Sequence, residues 1–418
     1  MGVWDYLEDP NQFLPLIAHP ANVETAQVVE KLVTSLRAAP DVFALRDLQV
    51  DLINALVEVE TLYRRATRAY KRTGGDPFDQ RLWRRAMVQL RSVGDAIVWH
   101  FFDCRRQWIL LLGANQHPGI MSDKLGFQDE LAAFERHWDA GEATILTGAT
   151  NCITATDLLA ARDGILSAYE IKRSPAGKRP DQTAKLADLV QRVNEDPRID
   201  FPDGPSWMLQ SDVPLVSHWS GAEPHIQRAL AQGVATWVPT PGIAVMFWAG
   251  AKLTSLGQDK GAAVLEAEQA SAARQVGYGE HRILFNSKDL PYRTTAIAPM
   301  TILPVSPSSA AALVTNQVLF VVEVYLGRII DELRAAGAEP INLLASTPPG
   351  KAPKTILRWV RRDGLKLSMN TTALQQVAYE LNDPAVWVRA FVSAPLPAAP
   401  PRRWHSYVCL ANESAVWA

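Results

Sequence analysis

Between residues 21 and 112 the apolar positions recur at intervals of three and four, as in Leu45, Leu48, Leu52, Leu56 and Val59. That period predicts a helical region broken at Pro40, at Gly74-Gly75 and at Pro77. Beyond Ala143 the texture changes to short β-rich runs at 143–146, 152–160 and 165–173, followed by helical spacing over 181–194. Further on, strands are expected at 234–238, 243–248 and 282–286, and helices at 221–231, 263–275 and 326–337. The chain then reads as a hairpin over 355–369 turning at Asp363-Gly364, a helix over 371–381 and a proline-rich connector at 395–401. The pattern divides the chain into a helical region (1–112), an α/β core (113–250) and a mixed α+β region (251–418).

Composition adds mainly exclusions. The 418 residues are 48% hydrophobic and 21% charged, an ordinary globular balance that sets aside collagen-like, wholly disordered and disulfide-scaffold classes. Forty-two Lys and Arg face 44 Asp and Glu, so an anionic partner must be held by a local patch and not by the net charge of −2. Cys104, Cys152 and Cys409 are odd in number and far apart, which suits a reducing compartment and predicts a cytoplasmic protein. Asp5, Glu8, Asp9 and Pro10 stand where a secretory signal would need a basic start and an apolar run. The uncharged stretch 229–251 reaches spanning length, but Pro239, Pro241 and Gly242 interrupt it, and two buried strands around a turn are the better expectation than a membrane segment. No phosphate-cradling Gly-rich loop, Gly-X-Ser-X-Gly elbow or zinc-type His/Cys spacing occurs.

The candidate chemistry lies in residues 152–174, two apolar runs around Asp163-Gly164. Asp-Gly is a strong signal for a two-residue hairpin loop. With those two residues as the loop, Arg162 pairs with Ile165, and counting outward sets Asp157 opposite Glu170. Directly opposed residues have Cβ atoms roughly 4.5–5.5 Å apart, where two negative charges destabilise the pair unless a cation neutralises them. Lys172 projects on the same face as Glu170, while Ile171 points the other way. Two hard oxygen ligands at this spacing suit Mg²⁺ or Mn²⁺, and an adjacent ammonium can orient a water or stabilise developing negative charge. The competing interpretation is a solvated surface hairpin with a weak salt bridge.

Asp157 followed by Glu170-Ile171-Lys172 resembles the PD-(D/E)XK nuclease superfamily, with Thr156 standing where Pro or Gly is common. The resemblance implies a restriction-endonuclease-like core, a mixed sheet flanked by helices, and metal-dependent hydrolysis of phosphodiester bonds. It further implies a Glu on the preceding helix, supplied by Glu130 or less well by Glu135, and a polar residue on the following helix, for which Gln182 is the match. Arg179 and Lys185 share the face of Gln182. Asp157 and Glu170 would hold the metal and Lys172 would position the water.

Two basic clusters extend the picture. Nine cations lie between Arg64 and Arg91, with Arg64, Arg68 and Arg72 on one helix face, an arrangement that can neutralise phosphates. The second surrounds Trp359 with Lys351, Lys354, Arg358, Arg361, Arg362 and Lys366; here strand-edge solubilisation is preferred over base stacking. The function expected is cleavage of DNA before RNA, in restriction, repair or anti-phage defence, and a homo-oligomer or a partner protein of a defence system is compatible with it. The alternative is an inactive nuclease-like fold that binds nucleic acid or protein.

Overall fold

The computed structural model describes residues 10–113, 119–122, 124, 126–153, 156–162, 165–171, 198–201, 204–255, 258–278, 281–287, 290, 297–345, 355–395 and 405–411. The protein is mixed α/β, a helical N-terminal region followed by sheets with helices. Its described residues form two compact units, one from residues up to 196 together with 291–302 and 306–317, the other from the remainder. These bounds cut the chain near 196, where the sequence pattern suggests divisions at 112 and 250.

The first unit opens with α1 (Pro10–Ala18), α2 (Pro20–Ala38), α3 (Leu45–Thr73), α4 (Phe78–Phe101) and α5 (Arg106–Leu112). Helix breaks fall at the expected Pro40, Gly74-Gly75 and Pro77, and one more, not expected, falls at 102–105, where Asp103 and Cys104 take positive φ. Gly74 takes φ 63° to end α3, the left-handed conformation that glycine adopts without a Cβ penalty. Helix α4 is the centre of this unit, buried on every side from Gln89 to Trp99. Its polar residues are therefore inside and must be bonded. Gln89 Nε2 donates to Asn22 Oδ1 (3.3 Å), and Arg91 donates to Glu60 (3.1 Å) and to the carbonyls of Gly148 (3.1 Å) and Gly119 (2.7 Å).

After α6 (Phe127–Asp139) come β1 (Ala143–Leu146), β2 (Leu158–Arg162) and β3 (Ile165–Tyr169), an antiparallel sheet in that order. Leu158 pairs with Tyr169 and Arg162 with Ile165, the register the sequence predicts, although Asp163 and Gly164 themselves lie outside the described residues. Gln49 on α3 serves the outer edge of β1, donating to the Thr144 carbonyl (2.9 Å) and accepting from the Leu146 amide (3.4 Å). An edge bonded in this way is not a template for another strand. Strand β2 begins six residues later than the β-rich run, because residues 147–153 are held in an irregular loop against α4. Among the described residues these three strands pair with one another alone, all antiparallel, and no parallel pair of the expected mixed sheet is seen here.

The second unit holds two sheets. One runs β10 (Glu339–Asn342), β11 (Leu357–Val360), β12 (Lys366–Met369), β13 (His405–Ala411), β5 (Gly204–Ser211), β4 (Arg198–Phe201), with parallel pairing on both sides of β13. The other has the order β6 (Val234–Thr240), β7 (Ile243–Trp248), β9 (Leu319–Tyr325), β8 (Arg282–Asn286), antiparallel throughout. The β6–β7 hairpin turns at Pro241-Gly242 within the long uncharged stretch, and no helix among the described residues is long and apolar enough to cross a membrane.

Helix α4 touches the loop before β2 at Gly94. A Cβ there would stand 2.0 Å from the Ala149 carbonyl oxygen and 2.9 Å from its carbon, both backbone atoms. Gly94→Ala must therefore push helix and loop apart, and overpacking of this kind costs typically 1–3 kcal/mol and occasionally more. We expect a loss of about 3 kcal/mol in urea unfolding; a variant within about 0.5 kcal/mol of the parent protein would contradict the close approach.

Candidate functional site

The hairpin arrives at its geometry through a chain of buried polar contacts. Asp95 on α4 accepts from the amides of Asn151 (2.6 Å) and Cys152 (2.8 Å) and from Asn151 Nδ2 (3.0 Å). Thr150 Oγ1 donates to the carbonyls of Thr147 (2.9 Å) and Ile153 (3.1 Å), closing the loop on itself. Thr147 Oγ1 bonds the Thr156 carbonyl, and the Thr147 amide donates to the Asp157 carbonyl (3.1 Å). On the other side Thr156 Oγ1 and the Asp157 amide both donate to the Tyr169 carbonyl, at 2.8 and 3.1 Å. Thr156, the departure from Pro or Gly in the motif, is thus a buried residue whose hydroxyl ties the start of β2 to the end of β3.

These bonds set Asp157 one residue before the β2–β3 ladder and Glu170 one residue after it, so the ladder's register leads to both. Asp157 Oδ2 accepts from the Ile171 amide (2.9 Å), which fixes the carboxylate against the end of β3. Its other oxygen, Oδ1, lies 3.4 Å from Lys124 Nζ. The same ammonium lies 3.5 Å from Glu130 Oε1. Glu130 is 3% exposed, and its second oxygen, Oε2, is buried with no hydrogen-bonding partner among the described residues. Burial pushes the Glu130 carboxyl above the ordinary range; Lys124 opposes this, and the charges of Asp157 and Glu170 add to it.

Of the candidate residues, Asp157, Glu130 and Glu170 thus influence one another. Glu135 is elsewhere, in an ion pair with Arg46 that Asp139 shares at 3.1 Å. Lys172, Arg179, Gln182 and Lys185, with the helix expected over 181–194, lie outside the described residues. Lys124 was not flagged by the sequence pattern; it belongs to no motif, and only the fold brings a loop lysine beside Asp157. Among the described residues no group of three or more His, Cys, Asp and Glu side chains is arranged to hold a metal ion.

The basic clusters separate into interior and surface. Arg85 and Arg91 are buried, Arg85 stacked 4.9 Å over the Phe13 ring and Arg91 paired with Glu60, so neither can meet a phosphate. Arg65, Arg68, Lys71 and Arg72 are exposed and Arg64 half-buried on the last turns of α3, where no residue beyond Glu60 is buried. In the second cluster Trp359 is 1% exposed and packs on Phe391, and Arg361 is bound to Asp363 and to the Ala394 carbonyl (2.5 Å). Base stacking on Trp359 is thereby removed. Lys351 and Lys354 lie outside the described residues.

Cys152 sits in a place that disfavours the thiolate. Its thiol is fully buried beside Asp95, and burial together with that carboxylate raises its pKa well above the usual thiol range. No family profile, curated protein or solved structure matches the chain.

Burial pushes the Asp95 carboxyl up to about 6 against the bonds it accepts. An acid with a raised native pKa binds its proton more tightly folded than unfolded. Its contribution is therefore fully present below the unfolded value near 4 and is lost as the pH climbs through about 6, a change of about 3 kcal/mol at 1.4 kcal/mol per pH unit. Urea unfolding at pH 4.5 and pH 7 should show the parent protein losing about 2 kcal/mol more than Asp95→Asn over that interval. Equal slopes would mean that Asp95 does not titrate there.

Proposed function

We propose that the protein is a metal-dependent nuclease that hydrolyses phosphodiester bonds of DNA, built on a restriction-endonuclease-like core of the PD-(D/E)XK type. The observation that carries this reading is the convergence at one end of the β2–β3 hairpin: Asp157 and Glu170 at the two strand ends, and beside them the buried Glu130 with an unbonded oxygen. The presence of α6 ahead of the β2–β3 hairpin supports it as well, since the resemblance implies a helix before the motif.

The donor set fits a hard divalent cation. It consists of carboxylate oxygens alone; among the described residues one oxygen is buried without a partner, and Asp157 Oδ1 has a long ammonium contact. Mg²⁺ and Mn²⁺ keep several waters and bind through one or two carboxylates, so a cluster of three protein ligands is not required. Asp157 and Glu170 would hold the metal, with Glu130 completing the site, and the metal when bound would supply polarisation of the phosphodiester and a more acidic water. The chain's own residues do the rest. The Ile171 amide and the Thr156 hydroxyl fix Asp157 and the strand ends, burial keeps Glu130 dry, and Lys172 is assigned to hold the attacking water and meet developing negative charge. The exposed cations Arg65, Arg68, Lys71 and Arg72, with Arg64, are assigned to the DNA backbone, as are Arg179 and Lys185, while Gln182 is assigned to the site.

A second reading, an inactive nuclease-like fold that binds nucleic acid or protein, is favoured by one observation: Lys124 already bridges two of the carboxylates. Turnover separates the two. The purified protein should cleave DNA with Mg²⁺ or Mn²⁺ and not with EDTA. Lys172→Ala should fold and bind metal yet fall by at least about a hundredfold, since a positioned catalytic group commonly contributes 10²–10⁴-fold. Glu170→Gln should weaken metal affinity as well. Single-turnover cleavage by Lys172→Ala within threefold of the parent, or cleavage that persists in chelator, would overturn the nuclease assignment.

A further inference from the structure

The feature that the nuclease reading leaves unexplained is Lys124. Its ammonium is 3.4 Å from Asp157 Oδ1 and 3.5 Å from Glu130 Oε1, a single cation shared by two carboxylates on different elements. It comes from the turn that starts α6, where the Phe127 amide donates to the Lys124 carbonyl (3.0 Å) and the Glu130 amide to the Gly126 carbonyl (2.8 Å). The lysine is 40% exposed, whereas Glu130 is almost wholly buried and keeps one oxygen unbonded. An unbonded buried carboxylate oxygen is costly, and a lysine reaching in from solvent relieves the charge without satisfying it. A compact, mobile ammonium on a four-carbon stem can leave such a position without disturbing the core.

We propose that Lys124 is a tethered counter-ion that stands in for a divalent cation beside the Asp157 and Glu130 carboxylates and competes with it. The inference rests on the metal-site reading above and deepens it. When the cation binds, the ammonium is displaced toward solvent, where it becomes available to an incoming phosphate; when the cation leaves, Lys124 returns and keeps two adjacent carboxylates from repelling each other and opening the end of the hairpin. Asp157 stays in place throughout because its Oδ2 bond to the Ile171 amide is independent of Lys124.

The test is direct binding of Mn²⁺ alone, without nucleic acid, to the full chain by calorimetry or by loss of the free-ion paramagnetic signal. Competition predicts that Lys124→Ala binds Mn²⁺ about tenfold more tightly than the parent, since removing a unit charge about 4 Å from the ligands favours a divalent ion. Lys124→Arg, which keeps the charge, should stay within threefold of the parent. Lys124→Gln provides the same comparison if the alanine variant does not fold, and Glu130→Gln in the Lys124→Ala background should cancel most of the gain. Unchanged or weaker Mn²⁺ affinity in both neutral variants, or no Mn²⁺ binding by any of them, would overturn the inference. Tighter Mn²⁺ binding without cleavage of DNA would uphold it while the nuclease assignment fails.

Discussion

The carboxylate hairpin depends on a side chain that is itself not part of it. Asp95, inside α4, accepts three N–H bonds from Asn151 and Cys152 and so decides where the chain leaves β1 and re-enters the sheet at β2. Charge in a fully buried position is disfavoured, and its pKa near 6 records that tension. The arrangement endures because two of the donors are backbone amides that would otherwise be orphaned in the same interior. With the loop anchored there and Gly94 letting helix and loop approach, Thr147 and Thr156 can hand the geometry on to Asp157.

A second buried acid does the same for the other side of the site. Glu60 accepts from the amides of Met121 and Ser122 (both 2.8 Å) and pairs with Arg91, which itself reaches the carbonyls of Gly148 and Gly119. One α3–α4 ion pair thereby fixes both the segment that carries Lys124 and the loop that leads to Asp157. Breaking such a pair by removing one partner leaves a buried charge uncompensated, an effect of about 3–5 kcal/mol where it has been measured. The candidate site is thus a hairpin end tied to α3 and α4 by buried hydrogen bonds, with the half-exposed Lys124 beside it.

Much of this was legible in the sequence wherever the signal is local. Helices α2, α3 and α4 follow from three-and-four spacing ended by proline and glycine, and the β2–β3 register follows from a two-residue Asp-Gly loop that fixes every pair beyond it. What local pattern conceals is burial of charge. Arg85 and Arg91 have the spacing of a solvated stripe and are interior because of partners far along the chain, Thr315 and Glu60. The β-rich run from 152 starts irregularly because the Cys152 amide is held by Asp95 and the Ile153 amide by Thr150 Oγ1, which no nearby pattern announces. Lys124 is likewise visible only once α6 and the hairpin are brought together, whereas Trp359, an aromatic among cations, is core because Phe391 packs on it.

The central claim is that the end of the hairpin is a place for a divalent cation. An anomalous difference map from crystals soaked in Mn²⁺ tests it most directly. The account predicts a peak roughly 2.0–2.2 Å from carboxylate oxygens of Asp157 and Glu170, with the Lys124 ammonium withdrawn from Asp157 Oδ1. A map with no peak there, and Lys124 still bridging Asp157 and Glu130, would contradict it.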